Sequence, residues 1–262
     1  MNESVSEISQ SRINLRTCTI DGIFATPWAV LSIPGGFLMA GLLSAFFNIG
    51  PFWFGVVSAT PALVNAMNIF MIPLAAKFMR VRDMTLCFSC INVGLWMSGI
   101  VAIAFLPTGN PQNAGLFFAI LYCLTTLSLS LGAVGWGAWV GDFVPTEIRG
   151  RYMATRNRYT NVSTLAFMLL SLWLLDFLNA SRTAYIILIT VAVCARLISV
   201  LVQFRIQSPD PTGGAVASAN WTREISALLK ERPLMRFIAF GAVSGFFIGF
   251  AGALCPLYAL QH

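Results

Sequence analysis

Long apolar stretches separated by short gaps, with almost all positive charge confined to alternate gaps, constrain this chain more than any other feature. Fourteen of the sixteen Lys and Arg residues obey the pattern. Arg12 and Arg16 come first, then Lys77, Arg80 and Arg82, then Arg149, Arg151, Arg156 and Arg158. Arg205, Arg223, Lys230, Arg232 and Arg236 form the last group. The intervening gaps carry only Arg182, and Arg196 stands inside an apolar stretch. Lys and Arg are held on the cytoplasmic side of membranes, so this alternation predicts a chain that crosses a membrane repeatedly, with its N-terminus in the cytoplasm.

The 262 residues are 57% hydrophobic and 10% charged, against ~25% charged in soluble domains. A spanning helix needs about 20 mainly apolar residues. Seven stretches qualify: Gly22 to Phe47, Phe52 to Phe78, Met84 to Leu106, Ala114 to Val140, Tyr159 to Leu178, Ala184 to Phe204 and Met235 to Tyr258. None alternates apolar with polar residues in the manner of a β-barrel strand. The predicted fold class is therefore an all-α integral membrane bundle, in an inner or plasma membrane.

Four parts are expected: a polar cytoplasmic segment 1–21, a six-helix bundle 22–204, a cytoplasmic linker 205–234 and a seventh span 235–262. The first segment contains Glu3 and Glu7 and precedes too long an apolar run to be a signal peptide. In the linker, Ser208-Pro-Asp-Pro-Thr-Gly-Gly is a breaker. Trp221 to Arg232 follows with an amphipathic helical pattern, read either as interfacial or as an ordinary linker helix.

The net charge of +6 does not imply nucleic acid, because the basic residues flank spans and belong with anionic lipid headgroups. The six cysteines lie within or beside spans and imply no disulfide framework. Cys87-Phe-Ser-Cys90 has metal-like spacing but no second pair, and is read as packing. Gly135-Trp-Gly137 follows no strand and is not a nucleotide loop. No cofactor or metal is expected, and no constellation of catalytic residues appears.

The gap after the fourth stretch reads Trp139-Val-Gly-Asp142-Phe-Val-Pro145-Thr-Glu147-Ile-Arg149-Gly150-Arg151-Tyr152. It resembles the loop between helices four and five of the major facilitator superfamily, with Asp142, Pro145, Arg149, Gly150 and Arg151 at the matching positions. Pro145 ends the span, Gly150 permits a turn, and Arg149 and Arg151 can bond the uncapped carbonyls of a helix end. Asp142 is placed either to pair with a basic side chain when the cytoplasmic side closes or to act only as a topology charge. The stretch Pro73 to Asp83 resembles a second family loop in its basic run. It departs from that loop in Pro73 for the leading Gly and Lys77 for the acidic position.

The resemblance implies secondary-active transport of a small solute by alternating access. This chain then provides an N-terminal six-helix half, the central linker and helix seven, and a missing C-terminal half packs on the bundle. The family layout places helices one, four and seven along the cavity, which selects Trp28, Tyr122, Thr125 and Trp136 as lining candidates. An inactive fragment, a non-transporting scaffold and an integral-membrane enzyme are the alternatives.

Small residues at four-residue spacing, Gly137 with Gly141 and Gly241 with Gly245 and Gly249, are expected to let helices approach closely. Asp21, Asp142 and Asp176 sit at span ends, and Asp176 is placed to pair with Arg182. With no acid or His at mid-depth, a proton carrier is expected at Asp142 or outside this sequence. With no anion-binding cluster at mid-depth, a neutral or amphipathic solute is expected.

Overall fold

A computed structural model describes residues 2–33, 36–106, 110–207, 230–233, 235, 236, 239–241, 243 and 244. Described elements are helical throughout. Helix α1 spans Asn2–Leu31, a short α2 covers Phe37–Ala40, and a π-helical segment, Gly41–Phe46, follows. Then come α3 (Pro51–Phe78), α4 (Val81–Phe105), α5 (Pro111–Phe143), α6 (Thr146–Phe177) and α7 (Arg182–Gln203). Four of these, α4 to α7, are long and apolar enough to cross a membrane. They correspond to the third to sixth stretches of the sequence, and the protein is a membrane-embedded all-α bundle.

The polar segment 1–21 and the start of the first apolar stretch form one helix, α1, which runs to Leu31. The first apolar stretch is not one helix. It breaks after Leu31 and resumes as α2 and the π-helical segment, whose Phe47 amide reaches the Leu42 carbonyl. The linker helix at Trp221–Arg232, apart from its last residues, and most of the seventh stretch, including Gly245 and Gly249, fall outside the described residues.

The turns gather at two ends. Asn48, Asn110 and Asn179 mark the far end, and the basic clusters mark the other. Contacts between residues distant in sequence join each end. At the basic end, Asn14 and Gln207 bond through side chain and backbone, and the Tyr152 hydroxyl donates to the Leu15 carbonyl at 3.0 Å. At the far end, Gly41 leaves room for the Tyr185 hydroxyl, which would stand 2.7 Å from any added Cβ.

Capping follows the local sequence. Asn110 Oδ1 accepts the Asn113 amide at the start of α5, and Ser181 Oγ accepts the Ala184 amide at the start of α7. The C-termini of α4 and α5 are closed by arginines. Arg182 donates to the carbonyls of Ala104 and Leu106, both at 3.0 Å. Arg149 donates to Gly141 at 2.8 Å and Val144 at 3.1 Å. A guanidinium at a helix C-terminus satisfies orphan carbonyls and favours the negative end of the dipole. This is why Arg182 does not pair with Asp176 as expected: the α4 carbonyls hold its guanidinium, which also lies 5.5 Å over the Phe46 ring.

The main core runs between α1, α3, α4, α5 and α7 around Trp28, Phe47, Trp96, Phe118, Tyr122 and Leu188. A second cluster at the basic end joins Cys18, Trp139, Phe143, Val144 and Ile206. The outer surface is strongly apolar, with Phe105 82% and Phe78 75% exposed. Such a surface is suited to lipid, where packing and interhelical hydrogen bonds replace the hydrophobic effect as the glue. Cys87 and Cys90 are on this surface and not packed inside, both being exposed free thiols.

The glycine stripe on α5 also differs. An added Cβ at Gly137 or Gly141 meets nothing within 4 Å among the described residues, and the same holds for Gly241. The close approach to α4 is made two residues before Gly137, on the opposite face of the helix. At Gly135 a Cβ would stand 2.7 Å from Thr85 Oγ1 and 3.0 Å from the Val81 carbonyl. Four-residue spacing found a stripe, but Gly135 and Gly132 are the glycines that face α4.

Candidate functional site

A cavity of about 330 Å³ opens between α1, α4, α5, α6 and α7. Its wall on α1 is Asp21, Gly22, Ala25, Thr26, Trp28 and Ala29. Thr85, Phe88, Ser89 and Asn92 of α4 face it, as do Ser128, Leu129, Gly132, Ala133 and Trp136 of α5. Arg156 and Thr160 of α6 and Arg196 and Gln203 of α7 complete it.

Helical spacing explains how the polar groups meet. On α7, residues 196, 199 and 203 fall at i, i+3 and i+7 and so share a face. On α1, Asp21 and Trp28 are also seven apart, or about 10.5 Å along the axis. The two helices pack closely and run in opposite directions. Asp21 therefore meets Ser199 and Gln203, while Trp28 meets Arg196.

The resulting network is buried. Arg196 Nη1 donates to Ser199 Oγ at 2.8 Å, and Nη2 donates to Ser89 Oγ of α4 at 3.0 Å. Ser199 Oγ donates to Asp21 Oδ1 at 2.6 Å, and Gln203 Nε2 donates to the same oxygen at 2.9 Å. The Arg196 guanidinium lies 5.3 Å over the Trp28 ring. Asp21 is 2% and Arg196 8% exposed. Charges at that burial must be paired or hydrogen-bonded to be tolerated, and here one serine hydroxyl connects them.

A second guanidinium enters from α6. Arg156 Nε donates to the Cys18 carbonyl at 3.3 Å, and its guanidinium stacks 4.6 Å over Trp136. Gly22 makes this possible, because a Cβ there would lie 2.6 Å from Arg156 Nη2. On the opposite wall, Asn92 Nδ2 donates to the Thr125 carbonyl at 2.9 Å and to Ser128 Oγ at 3.0 Å.

Of the four cavity candidates, Trp28 and Trp136 line the space and Tyr122 and Thr125 do not. Tyr122 is buried against Trp96, edge to face at 5.8 Å. The Thr125 hydroxyl is turned back to the Tyr122 carbonyl at 3.3 Å. Both sit on the α5 stripe that packs on α4, and the α5 wall of the cavity begins at Ser128. Asp21, expected at a span end, is buried inside the bundle toward its basic end beside Gln203, and Arg196 and Arg156 line the same cavity.

The inter-helix loop carries less geometry. Asp142 is exposed at the end of α5, Pro145 is the residue before the first turn of α6, and Arg151 is exposed. Gly150 makes no turn, since it lies inside α6. Arg149 alone of this group is engaged, as the α5 cap. Thiol chemistry at this end is suppressed: burial pushes the Cys18 thiol up from its ordinary value, partly offset by Tyr152 and Arg156 beside it. Among the described residues no cluster of His, Cys, Asp or Glu could hold a metal.

The chain matches no family model, no curated protein and no solved structure.

Proposed function

We propose that this protein is a secondary-active transporter of a small solute, built as a six-helix half of the major facilitator type and working by alternating access. The observation that carries the reading is the cavity of about 330 Å³ holding a buried Asp21 and Arg196 inside an otherwise apolar bundle. Ionisable residues are costly among membrane helices and usually mark a substrate or ion path. Sites of this kind lie between helices of a bundle and combine apolar walls with a few polar groups.

In this reading the cavity-facing sides of α1, α4, α5, α6 and α7 form the permeation wall, with the basic end in the cytoplasm and the protein in an inner or plasma membrane. Asp142, Pro145, Arg149, Gly150 and Arg151, at the junction of α5 and α6, form the cytoplasmic gate, and a second helical half completes the pathway. Asp21 is the coupling-ion candidate, replacing Asp142 in that role.

Reconstituted proteoliposomes test this. Saturable uptake of labelled solutes, absent from protein-free vesicles and abolished by Asp21→Asn, is the expected result. Solute-independent behaviour across a broad panel, in vesicles with folded protein, would sink the reading. A fluorescent tag on the N-terminus, shielded from external quencher in intact cells, tests the orientation.

A further inference from the structure

The cavity's charges and its unmet hydrogen bonds specify more than a generic solute. Its lining carries two guanidinium groups, Arg156 and Arg196, and one carboxylate, Asp21. That leaves the lining with one net positive charge, on a partly buried Arg156 that meets the Cys18 carbonyl and the Trp136 ring but no carboxylate. Four buried polar atoms of the lining also lack a partner among the described residues. Two are donors, Arg196 Nε and Trp28 Nε1, and the Arg196 guanidinium overlies the Trp28 ring at 5.3 Å. Two are acceptors, Asn92 Oδ1 and Gln203 Oε1. Buried polar atoms are almost always satisfied; these four are among eleven unpartnered buried side-chain atoms of the described residues, and they share one cavity with the two guanidinium groups.

We propose that this cavity binds a monoanionic group, a carboxylate or phosphate ester, on a molecule that also offers a neutral hydrogen-bond donor such as a hydroxyl. The inference rests on the reading of the cavity as a solute site. The anion supplies the charge that Arg156 and Arg196 lack and accepts from Arg196 Nε and Trp28 Nε1. The hydroxyl donates to Asn92 or Gln203. Trp28, Phe88 and Trp136 offer flat faces to an apolar body. A free organic acid and the headgroup of an anionic lipid such as phosphatidylglycerol share this chemistry.

Mandelate, an aromatic hydroxy acid, is a suitable probe, with uncharged mandelamide as its near-isostere. In detergent-purified full chain, mandelate is expected to raise the melting temperature and quench tryptophan fluorescence saturably, and mandelamide is not. Arg196→Gln should weaken mandelate about tenfold or more, the worth of one buried charge-assisted bond, and Arg196→Lys should recover part of that loss. A parallel arm compares nanodiscs of phosphatidylglycerol and phosphatidylcholine. Stabilisation by phosphatidylglycerol that Arg196→Gln removes supports the proposal with a lipid as the source.

Equal effects of mandelate and mandelamide, or no effect of either anion on wild-type protein of full helical content, would overturn it. The wild-type comparison requires no variant to fold. Mandelate binding without any transport would sink the transport reading and leave this one standing. Saturable uptake of an uncharged solute that no anion inhibits would sink this one alone.

Discussion

Asp21 and Arg196 share a buried cavity and are joined through Ser199, which accepts from the guanidinium at 2.8 Å and donates to the carboxylate at 2.6 Å. Their helices, α1 and α7, are the first and last of the described bundle. The charges are thereby coupled without direct contact, and each is the main reason the other is tolerable at its depth. Removing one partner of a buried charged network is worse than removing both.

Asp21→Asn and Arg196→Gln should therefore each destabilise the protein by about 3 kcal/mol, and the double variant by clearly less than the sum. Thermal or denaturant unfolding in one fixed detergent measures the cycle. Additivity within about 0.5 kcal/mol would show that the two charges do not sense one another.

The glycines of α5 separate packing from composition. Gly135→Ala drives a Cβ toward the Val81 carbonyl, and backbone cannot yield cheaply. It should cost about 1–3 kcal/mol. Gly137→Ala meets open space and should stabilise by up to about 1 kcal/mol, because alanine restricts the unfolded chain. Unfolding midpoints of the two variants, moving in opposite directions, check both halves of this statement.

The two arginine caps predict local fraying without global collapse. Arg182→Ala frees the carbonyls of Ala104 and Leu106, and Arg149→Ala frees those of Gly141 and Val144. Each should cost about 1–2 kcal/mol. Amide exchange should accelerate in the last turn of α4 for the first variant and of α5 for the second. Exchange spread evenly through the bundle would argue against capping.

How far the sequence could be read divides along a physical line. The alternation of charge was enough to place Arg149 and Arg182 near helix ends, because topology depends on composition along the chain. It could not say that Arg182 would reach across to α4 and leave Asp176, because that depends on which helix lies alongside. The same limit applied where the family layout selected Tyr122 and Thr125 by their helix, while the facing direction of α5 put Tyr122 against Trp96 and turned the Thr125 hydroxyl back to its own helix. Arg196 was legible in principle. It was the one charge inside an apolar stretch, and 196, 199 and 203 share a face, but it read as an exception to the charge pattern and not as a site. The break near Gly36 and the interlocking of α1 with α7 need tertiary contacts that no local periodicity records.

Cys18 predicts a pH dependence. Its side chain is fully buried, and burial raises its folded-state pKa above the unfolded value of about 8.5. A raised folded value means the folded state holds its proton more tightly. The associated stability is intact below the unfolded pKa and is lost as pH rises toward the folded one. Mass mapping after maleimide treatment at pH 8 should show Cys18 unmodified. Melting temperature should fall above about pH 9, with a shallower slope in Cys18→Ala.

The grip on α6 is uneven. Near the basic end, Tyr152, Arg156 and Ser163 each donate to a carbonyl of α1, those of Leu15, Cys18 and Ile23. Beyond Ser163 the buried residues are Phe167 and Ser171, and the Ser171 hydroxyl bonds within its own helix. Only 11% of the most apolar stretch of α6 is buried, against 44% for α7. A rod clamped over its first half and merely greased along the rest has a natural pivot at the clamp. Swinging the free half breaks no polar tie to a neighbour among the described residues, and the clamp keeps Arg156 on the cavity wall while it does so.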